Sequence, residues 1–406
     1  MSRLAGTVRA GYETDAGLVV VLLRRDGAVP GIVDHFVREA PGRWSFVVPP
    51  GTYALAAFAD TNGDLTYDAG EPALAPAPET TFILGTGTTV RDIDLVIPRT
   101  GRVEVSGPVD IAALQARSAV DQLDLSLGQL TVAGEVTHLS DPRFRRENGK
   151  KGLWAPLDFT VDVGPGIYFL AEHDPDRIPI LFVHGISGTP LDFAAIIEHL
   201  DTRRFEPWLA FYPSGARLDR IAERLEELLT RLCVEHGVPH LFVVAHSMGG
   251  LVARAMILGH EPGARGGRIS LFVSISTPWG GHDAAAQGVE RSPVVVWSWY
   301  DIAPGSPFLT ELFYDETAQP TRHVRRRLPA GVEHHLIFGF QRNSRRHGPS
   351  GDRVVTVRSE LLPEAQAEAR RIYGFDEDHT GILRSAEVHH LLGRLLSVAA
   401  ARAPKN

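Results

Sequence analysis

The chain of 406 residues has one cysteine, Cys233, and its 41 basic residues are almost all arginine, with lysine only at 150, 151 and 405. A single cysteine excludes an intrachain disulfide framework and any metal site built from a cysteine cluster. No apolar run approaches the roughly 20 residues that a membrane-spanning helix needs. The net charge of −8 argues against a nucleic-acid partner, whose phosphates require basic contacts. The rest is ordinary globular composition, 44% hydrophobic and 22% charged.

The first residues contain no recognisable export signal. No apolar segment with a small-residue cleavage site follows Met1, and Leu4 to Val8 already favours a strand. We therefore expect either a cytoplasmic protein or an exported one whose leader is absent from this sequence. The sequence leaves both the location and the oligomeric state open.

The first hundred residues predict an all-β domain. Short apolar or alternating runs are separated by turn clusters, a spacing typical of a small sandwich. The predicted strands are Leu18–Leu23, Trp44–Val48, Tyr53–Phe58 and Ile93–Ile97. Because Pro98 to Gly101 favours a connection, we predict a β-sandwich domain over residues 1–98 and a second domain over residues 99–406.

An acidic loop in the first domain has the spacing of a cation site. Oxygen-bearing side chains occupy loop positions 1, 3, 5, 9 and 12, which are Asp60, Asn62, Asp64, Asp68 and Glu71. The loop resembles the calcium loops of small extracellular Ig-like modules, because a strand precedes it and Leu65 stands where an EF-hand needs Gly. The alternative is a polar turn, since Asp, Asn and Gly favour turns. A bound Ca²⁺ would be structural.

The second domain begins with further predicted strands and continues as an α/β pattern. Strands are predicted at 103–105, 123–125, 129–136, 157–163 and 167–170, with a basic loop at 143–151. After Asp174, buried-type strands alternate with amphipathic helices, which favours a parallel sheet flanked by helices. The predicted strands include Ile180–Val183, Leu209–Tyr212 and Leu241–Val244, and a closing helix is predicted at Val388–Ala399.

The segment from Leu241 to Leu251 carries the clearest chemical signal. A buried strand leads into Ser247, and a helix follows at once. Ala245 and Gly249 are small, as a sharp turn between strand and helix requires. This pattern is typical of a nucleophile elbow, in which a strained serine is presented above the sheet. The backbone N–H of Met248, at the start of the helix, is a candidate oxyanion donor.

These motifs resemble those of α/β-hydrolases of the bacterial lipase and esterase type, from about residue 175 to the end. The elbow resembles that of small bacterial lipases with Ala at the first small position. The run from Ile180 to Gly188 resembles the oxyanion loop, and Ser276 to Gly281 resembles the segment after the next strand. The resemblance implies an α/β-hydrolase fold and a serine-hydrolase mechanism. It also implies that Ile186 donates the second oxyanion N–H.

The family order of serine, acid and histidine leads to the remaining catalytic candidates. His379 lies before the closing helix in a segment that resembles the lipase His-x-Gly-Ile motif. His389 and His390 are alternative bases, but they lie within the predicted closing helix, which favours a surface role. Asp352 follows a predicted strand and resembles the Asp-Gly-Val-Val segment, with Arg353 in place of Gly. Asp283 and Asp301 are alternative acids. His246 is expected to be a packed or hydrogen-bonded neighbour of the nucleophile.

An aromatic segment follows the strand after the elbow. We predict a cap at about residues 279–320 and a substrate-binding surface formed by Trp279, Trp297, Trp299, Tyr300 and Phe308. The alternative is a cap packed for stability alone. An apolar lining would suit hydrophobic esters rather than charged substrates.

The sequence therefore predicts a serine esterase or lipase that acts through an acyl-enzyme and requires no cofactor. The same triad would also serve a thioesterase, an amidase or an acyltransferase. A surface-binding protein with an inert hydrolase domain is the alternative from another class. Acyl chain length and the role of the first domain are not legible in the sequence.

Overall fold

The structure is a computed structural model that describes residues 2–26, 31–68, 70–85, 88–101, 131–261, 267–285, 296–315, 324–341 and 350–403. The chain divides into two compact units. The first comprises residues 1–132 with 229–237 and 261–267, and the second comprises residues 133–228, 238–260 and 268–406.

The described residues of the first unit form two β-sheets. Its strands are β1 Ser2–Ala10, β2 Gly17–Arg24, β3 Gly31–Arg38, β4 Gly42–Val48, β5 Gly51–Asp60, β6 Ala73–Leu74, β7 Thr81–Leu84 and β8 Thr89–Ile97. One sheet has the order β4-β1-β8, and the other has the order β3-β2-β5-β6 with β7 paired to β5. Side chains of both sheets, including Trp44, Phe46, Val20 and Leu55, share one buried cluster. The predicted strands in residues 18–97 are confirmed.

The boundary predicted after residue 98 is next to residues 102–130, which lie outside the described residues. The strands predicted at 103–105 and 123–125 also fall there, as do residues 129 and 130 of the next predicted strand. The domain limits of 1–98 and 99–406, and the Ig-like character of the first domain, therefore stay predictions.

The second unit is built on an eight-stranded sheet. Its strands are β9 Val132–Val136, β10 Gly166–Phe169, β11 Ile178–Val183, β12 Phe205–Phe211, β13 His240–His246, β14 Arg268–Ile275, β17 Glu333–Gly339 and β18 Arg371–Phe375. Their order is β18-β17-β14-β13-β11-β12-β10-β9. From β12 to β18 every neighbouring pair is parallel, and β10 pairs antiparallel to β12. The short strands β15 Tyr314–Asp315 and β16 Val324–Arg325 form a separate antiparallel pair.

Helices connect these strands. They are α1 Arg146–Trp154, α2 Pro156–Asp162, α3 Ala194–Glu198, α4 Leu218–His236, α5 Met248–Gly259, α6 Trp297–Ile302, α7 Pro307–Phe313, α8 Val357–Glu360, α9 Pro363–Glu368 and α10 Ala386–Arg402. The central strands β12 and β13 are buried along their whole length, and β11 is buried after Ile178, as expected for parallel strands covered on both faces. The predicted mostly parallel sheet flanked by helices is confirmed, and so is the closing helix.

Two predictions about the start of the second domain are wrong. Residues 157–163 were predicted as a strand, but α2 occupies most of this segment. The alternation of Leu157, Phe159 and Val161 suggested a strand, whereas Pro156 at the first helical turn has the fixed φ that starts a helix. The predicted basic loop at 143–151 is largely helix α1, which begins at Arg146.

Within the residues that the structure describes, no helix is both long enough and apolar enough to cross a membrane.

Candidate active site

Ser247 stands at a sharp turn between β13 and α5. Its backbone has φ 55° and ψ −132°, a region that residues other than Gly rarely adopt. The turn is held by hydrogen bonds from Ser247 N to the Ile275 oxygen at 2.8 Å and from Gly250 N to the Ser247 oxygen at 2.9 Å. The strained serine is therefore fixed between the sheet and the first turn of the helix.

Ser247 is in hydrogen-bond contact with His379, 132 residues further along the chain. The serine hydroxyl donates to His379 Nε2 at 2.8 Å, and His379 Nδ1 donates to Asp352 Oδ2 at 2.5 Å. All three side chains are buried. They follow β13, β17 and β18, whose carboxyl ends lie at one edge of the sheet, where α/β proteins place their sites. The structure thus brings together the three side chains predicted as a triad.

Asp352 is held as an anion by its surroundings. Its Oδ1 accepts hydrogen bonds from the amides of Val354 at 3.0 Å and Val355 at 2.7 Å. Burial alone would raise the pKa of Asp352, but the hydrogen bond and charge of His379, together with these amides, lower it overall. A second contact, from His379 N to the Asp352 main-chain oxygen at 2.9 Å, fixes the two loops to each other.

The segment after β11 approaches Ser247 closely. A Cβ at Gly185 would lie 2.8 Å from Ser247 Cβ and 3.3 Å from its Oγ, so only glycine fits there. The backbone amides of Ile186 and Met248 make no hydrogen bond within the described part of the chain. Ile186 directly follows Gly185, and Met248 directly follows Ser247, so the two predicted donors adjoin this close contact with their N–H groups unused in the described residues.

His184 stabilises the segment after β11 through ring stacking and hydrogen bonds. It is 0% exposed and stacks on Tyr212 with ring centroids 4.1 Å apart. Its Nδ1 donates to the Gly185 oxygen at 2.8 Å, while Tyr212 donates its hydroxyl to the His184 main-chain oxygen. Burial lowers the pKa of His184 to about 4, so its ring is neutral at physiological pH. Further along the same segment, Ser187 N donates to Ser214 Oγ at 2.8 Å.

His246, next to the nucleophile, is buried and bonded to the loop that carries His379. Its Nε2 donates to the main-chain oxygen of His379 at 2.8 Å. Burial, and then the charge of His379, lower the pKa of His246 to about 3. The expectation of a hydrogen-bonded neighbour is confirmed.

The five aromatic residues predicted to bind substrate occupy different environments. Trp297 and Tyr300, on α6, are 50% and 41% exposed. Trp299 packs edge-on against Trp154. Trp279 and Phe308 are buried, and Trp279 contacts Phe272, Phe313 and His334. Trp279 and Phe308 therefore belong to the core of the second unit rather than to an open surface.

The alternative acids have other partners. Asp301 accepts a hydrogen bond from Leu218 N at 2.8 Å and pairs with Arg217 at 3.0 Å, which caps the start of α4. Neither Asp301 nor Asp283 is bonded to His379 in the described residues.

The acidic loop of the first unit directs most of its carboxylates to its own donors. Asp60 accepts from Gly63 N at 2.8 Å, and Glu71 accepts from Thr61 N at 2.6 Å. Asn62 Nδ2 lies 2.9 Å from Asp64 Oδ2 and 3.0 Å from Asp68 Oδ2. Among the residues described, no group of three or more His, Cys, Asp or Glu is arranged to hold a metal ion. The calcium loop and the polar turn therefore both stay predictions.

The sheet order, the elbow and the site at the carboxyl edge define the second unit as an α/β-hydrolase fold. Residues 173–305 match the family model described as "Putative serine esterase (DUF676)". The match includes Ser247 and Ile186 and ends before Asp352 and His379. No curated protein matches the chain.

Several solved structures are similar to the chain at low identity. A gene product of Listeria innocua is 15% identical, with TM-score 0.42, over 57% of this chain and 96% of that one. The mature Bacillus licheniformis lipase BlEst2 is 16% identical, with TM-score 0.42, over 56% and 95%. Aspergillus fumigatus lipase B is 16% identical, with TM-score 0.41, over 57% of this chain and 56% of that one.

Sequence reasoning missed the residues that support the site, namely Tyr212, Ser214 and Glu360. Tyr212 and Ser214 follow β12, which neighbours β11, so their position at the carboxyl edge was the available signal. Glu360 lies in a short helix after Asp352 and carries no sequence signal of its own.

Proposed function

We propose that the protein hydrolyses carboxylic esters through an acyl-enzyme intermediate. The observation that carries the proposal is the 2.8 Å contact of Ser247 Oγ with His379 Nε2, in a ring oriented by Asp352. His379 accepts the serine proton while Ser247 Oγ bonds to the ester carbonyl carbon. The imidazolium then protonates the leaving alkoxide as the carbon–oxygen bond breaks. Water, deprotonated by His379 in turn, releases the acid and restores Ser247.

The amides of Met248 and Ile186 are assigned to the oxyanion. Both N–H groups are unused in the described residues and flank the serine. The amide of Met248 is also the first of α5, where the helix dipole favours negative charge. In this type of site, loss of one donor costs about 3 kcal/mol of transition-state stabilisation.

We assign the acyl-binding surface to α6. Ser298 N, on this helix, donates to the Gly215 oxygen at 3.3 Å, and the adjacent Ser214 accepts from Ser187 in the oxyanion segment at 2.8 Å. The exposed rings of Trp297 and Tyr300, with Trp299 beside them, favour an apolar acyl chain. Trp279 and Phe308 are not included, because their side chains are buried in the core.

The test is labelling with a fluorophosphonate probe, combined with hydrolysis of p-nitrophenyl esters from acetate to palmitate. We expect wild type to be labelled and active, and Ser247→Ala to lose both properties while keeping its circular dichroism spectrum. Ser385→Ala, a half-buried serine at the start of α10, serves as the control and should match wild type. Activity retained by Ser247→Ala would contradict the proposal.

A panel of oxygen esters, thioesters and amides of one acyl group separates the related chemistries. Fastest turnover of the oxygen ester supports the esterase assignment. Preference for the thioester or amide would move the same residues to another reaction. Absence of both labelling and turnover in wild type would favour a binding protein.

A further inference from the structure

A second buried carboxyl group lies behind the proposed triad. Glu360, the last residue of α8, is 0% exposed, and its Oε1 accepts a hydrogen bond from Gly339 N at 3.2 Å. Its Oε2 and the hydroxyl oxygen of Ser276 are both buried, and the Ser276 hydroxyl acts on the Glu360 carboxyl. A carboxyl group buried in this way calls for a physical explanation, because an ionised carboxylate is costly to remove from water.

Among the residues that the structure describes, Glu360 has an anion nearby and no cation paired with it. A Cβ at Gly339 would lie 2.9 Å from Asp352 Cβ and 3.4 Å from Ser276 Oγ, so Glu360, Ser276 and Asp352 all border this glycine. That anion is Asp352, which is itself paired with His379. No Lys, Arg or His of the described residues forms an ion pair with Glu360. Two ionised carboxylates in this position would repel each other in a low-dielectric environment.

A proton on Glu360 removes this repulsion. The protonated carboxyl and the Ser276 hydroxyl each have one O–H donor and an acceptor oxygen, so the two groups can still pair with each other. We propose that Glu360 is a positioning residue that carries a proton in the folded protein, ties Gly339 to Ser276 behind Asp352, and leaves Asp352 as the one anion facing His379. The positioning role of Glu360 in catalysis rests on the proposed esterase function, whereas the protonation of Glu360 does not.

Burial, and then the negative charge of Asp352, raise the pKa of Glu360 to about 9, against smaller opposing effects of the Gly339 amide and the Ser276 hydroxyl. In the unfolded chain the same group has its ordinary pKa of 4.5. Folding therefore binds a proton between these pH values. Because the folded-state pKa is raised, this stabilisation is full below pH 4.5 and is lost as the pH rises toward 9.

Urea unfolding of Glu360→Gln across this pH range tests the protonation without an activity assay. Gln keeps both hydrogen bonds and cannot ionise. The ratio of unfolding equilibrium constants, wild type over variant, should increase by up to about tenfold per pH unit between about pH 5 and 9. The exposed Glu387→Gln on α10 should show no such increase. A ratio for Glu360→Gln that is independent of pH would overturn the proposal.

Kinetics test the positioning role. We expect the kcat of Glu360→Gln to stay within about twofold of the wild-type value at pH 7. Above about pH 9 the kcat of wild type should fall, whereas that of Glu360→Gln should not. Glu360→Ala, which removes both ties, should lose at least about tenfold in kcat with KM changed less than about threefold. An unchanged kcat in Glu360→Ala would refute the positioning role. If Glu360→Ala does not fold, the dependence of kcat on pH in Glu360→Gln decides. A pH profile of kcat identical to that of wild type would refute the positioning role.

Discussion

Gly249, in the first turn of α5, packs directly on the main chain of His184. A Cβ at Gly249 would lie 2.3 Å from the carbonyl oxygens of both His184 and Val183, which end β11 and begin the oxyanion segment. The elbow helix and the neighbouring strand therefore touch backbone to backbone. This contact sets the distance between Ser247 and the proposed oxyanion donors.

Gly249→Ala should separate these backbones. Because the clashing atoms are main-chain oxygens rather than flexible side chains, we expect a loss of about 3 kcal/mol or more in the free energy of unfolding. Gly259→Ala at the other end of α5 is the matched control, since its Cβ would meet nothing within 4 Å. That control should be neutral or stabilising by up to about 1 kcal/mol. Equal urea midpoints for the two variants would contradict the packing argument.

His246→Phe should reduce catalysis by loosening the loop that carries His379. The substitution leaves the buried His379 carbonyl without its donor at 2.8 Å. We expect a fall in kcat of about tenfold and a loss of about 1–3 kcal/mol in stability. Since the pKa of His246 is about 3, the acidic limb of the pH–rate profile should not move. The control is His246→Gln, which restores an N–H donor and should partly recover kcat. A shift of the acidic limb in His246→Phe would show that His246 itself titrates.

Asp352→Asn should be far more damaging to turnover than to the fold. The asparagine side chain can occupy the same space, but its N–H donates to Nδ1 of the imidazole. This favours the tautomer that carries its proton on Nε2, which then has no lone pair to accept the serine proton. Comparable changes in serine hydrolases lower kcat by about 10⁴. Stopped-time ester assays with the variant, beside Asp301→Asn as a comparison, measure the effect. A larger loss in Asp301→Asn would reassign the acid.

Arg254 joins the elbow helix to the segment that follows β14. Its guanidinium is 1% exposed, pairs with Glu368 at 2.6 Å and lies 4.3 Å from the centre of the Phe313 ring. Arg254→Met leaves Glu368 buried with Arg325 at 3.6 Å as its remaining cation, so we expect a loss of about 3 kcal/mol.

The double variant Arg254→Met/Glu368→Leu distinguishes lost attraction from an uncompensated charge. If the buried charge causes the loss, the double variant should be more stable than Arg254→Met alone in urea unfolding. Additive losses would show that packing around Phe313 dominates.

Arg353 occupies a backbone conformation that favours glycine. Its φ is 78°, and its side chain donates from Nε to Gln341 Oε1 at 2.6 Å. Arg353→Gly relieves the strain but loses this exposed bond and raises the entropy of the unfolded chain, so the effects oppose each other. We expect a change below about 1 kcal/mol in unfolding free energy and below about twofold in kcat/KM. A large loss of activity would indicate that the guanidinium acts in the site.

Local sequence patterns predicted much of the second unit. The strand before Ser247, the small residues around it and the helix after it are consecutive, so one short segment contains the whole elbow. The alternation at Leu157 to Val163 misled the same reasoning, because periodicity over seven residues was outweighed by Pro156 and by packing of Phe159. Short segments have weak periodicity, and tertiary contacts decide them.

The sequence by itself determined the strained turn at Ser247, the order of the strands along the chain and the residue types available for proton transfer. Only the tertiary structure decided which of these groups meet. The contact of Ser247 with His379 spans 132 residues, and the burial of Glu360 beside Asp352 follows from where β14 and β17 end. Sheet order brings such distant groups together, whereas local patterns encode only the backbone in their own segment.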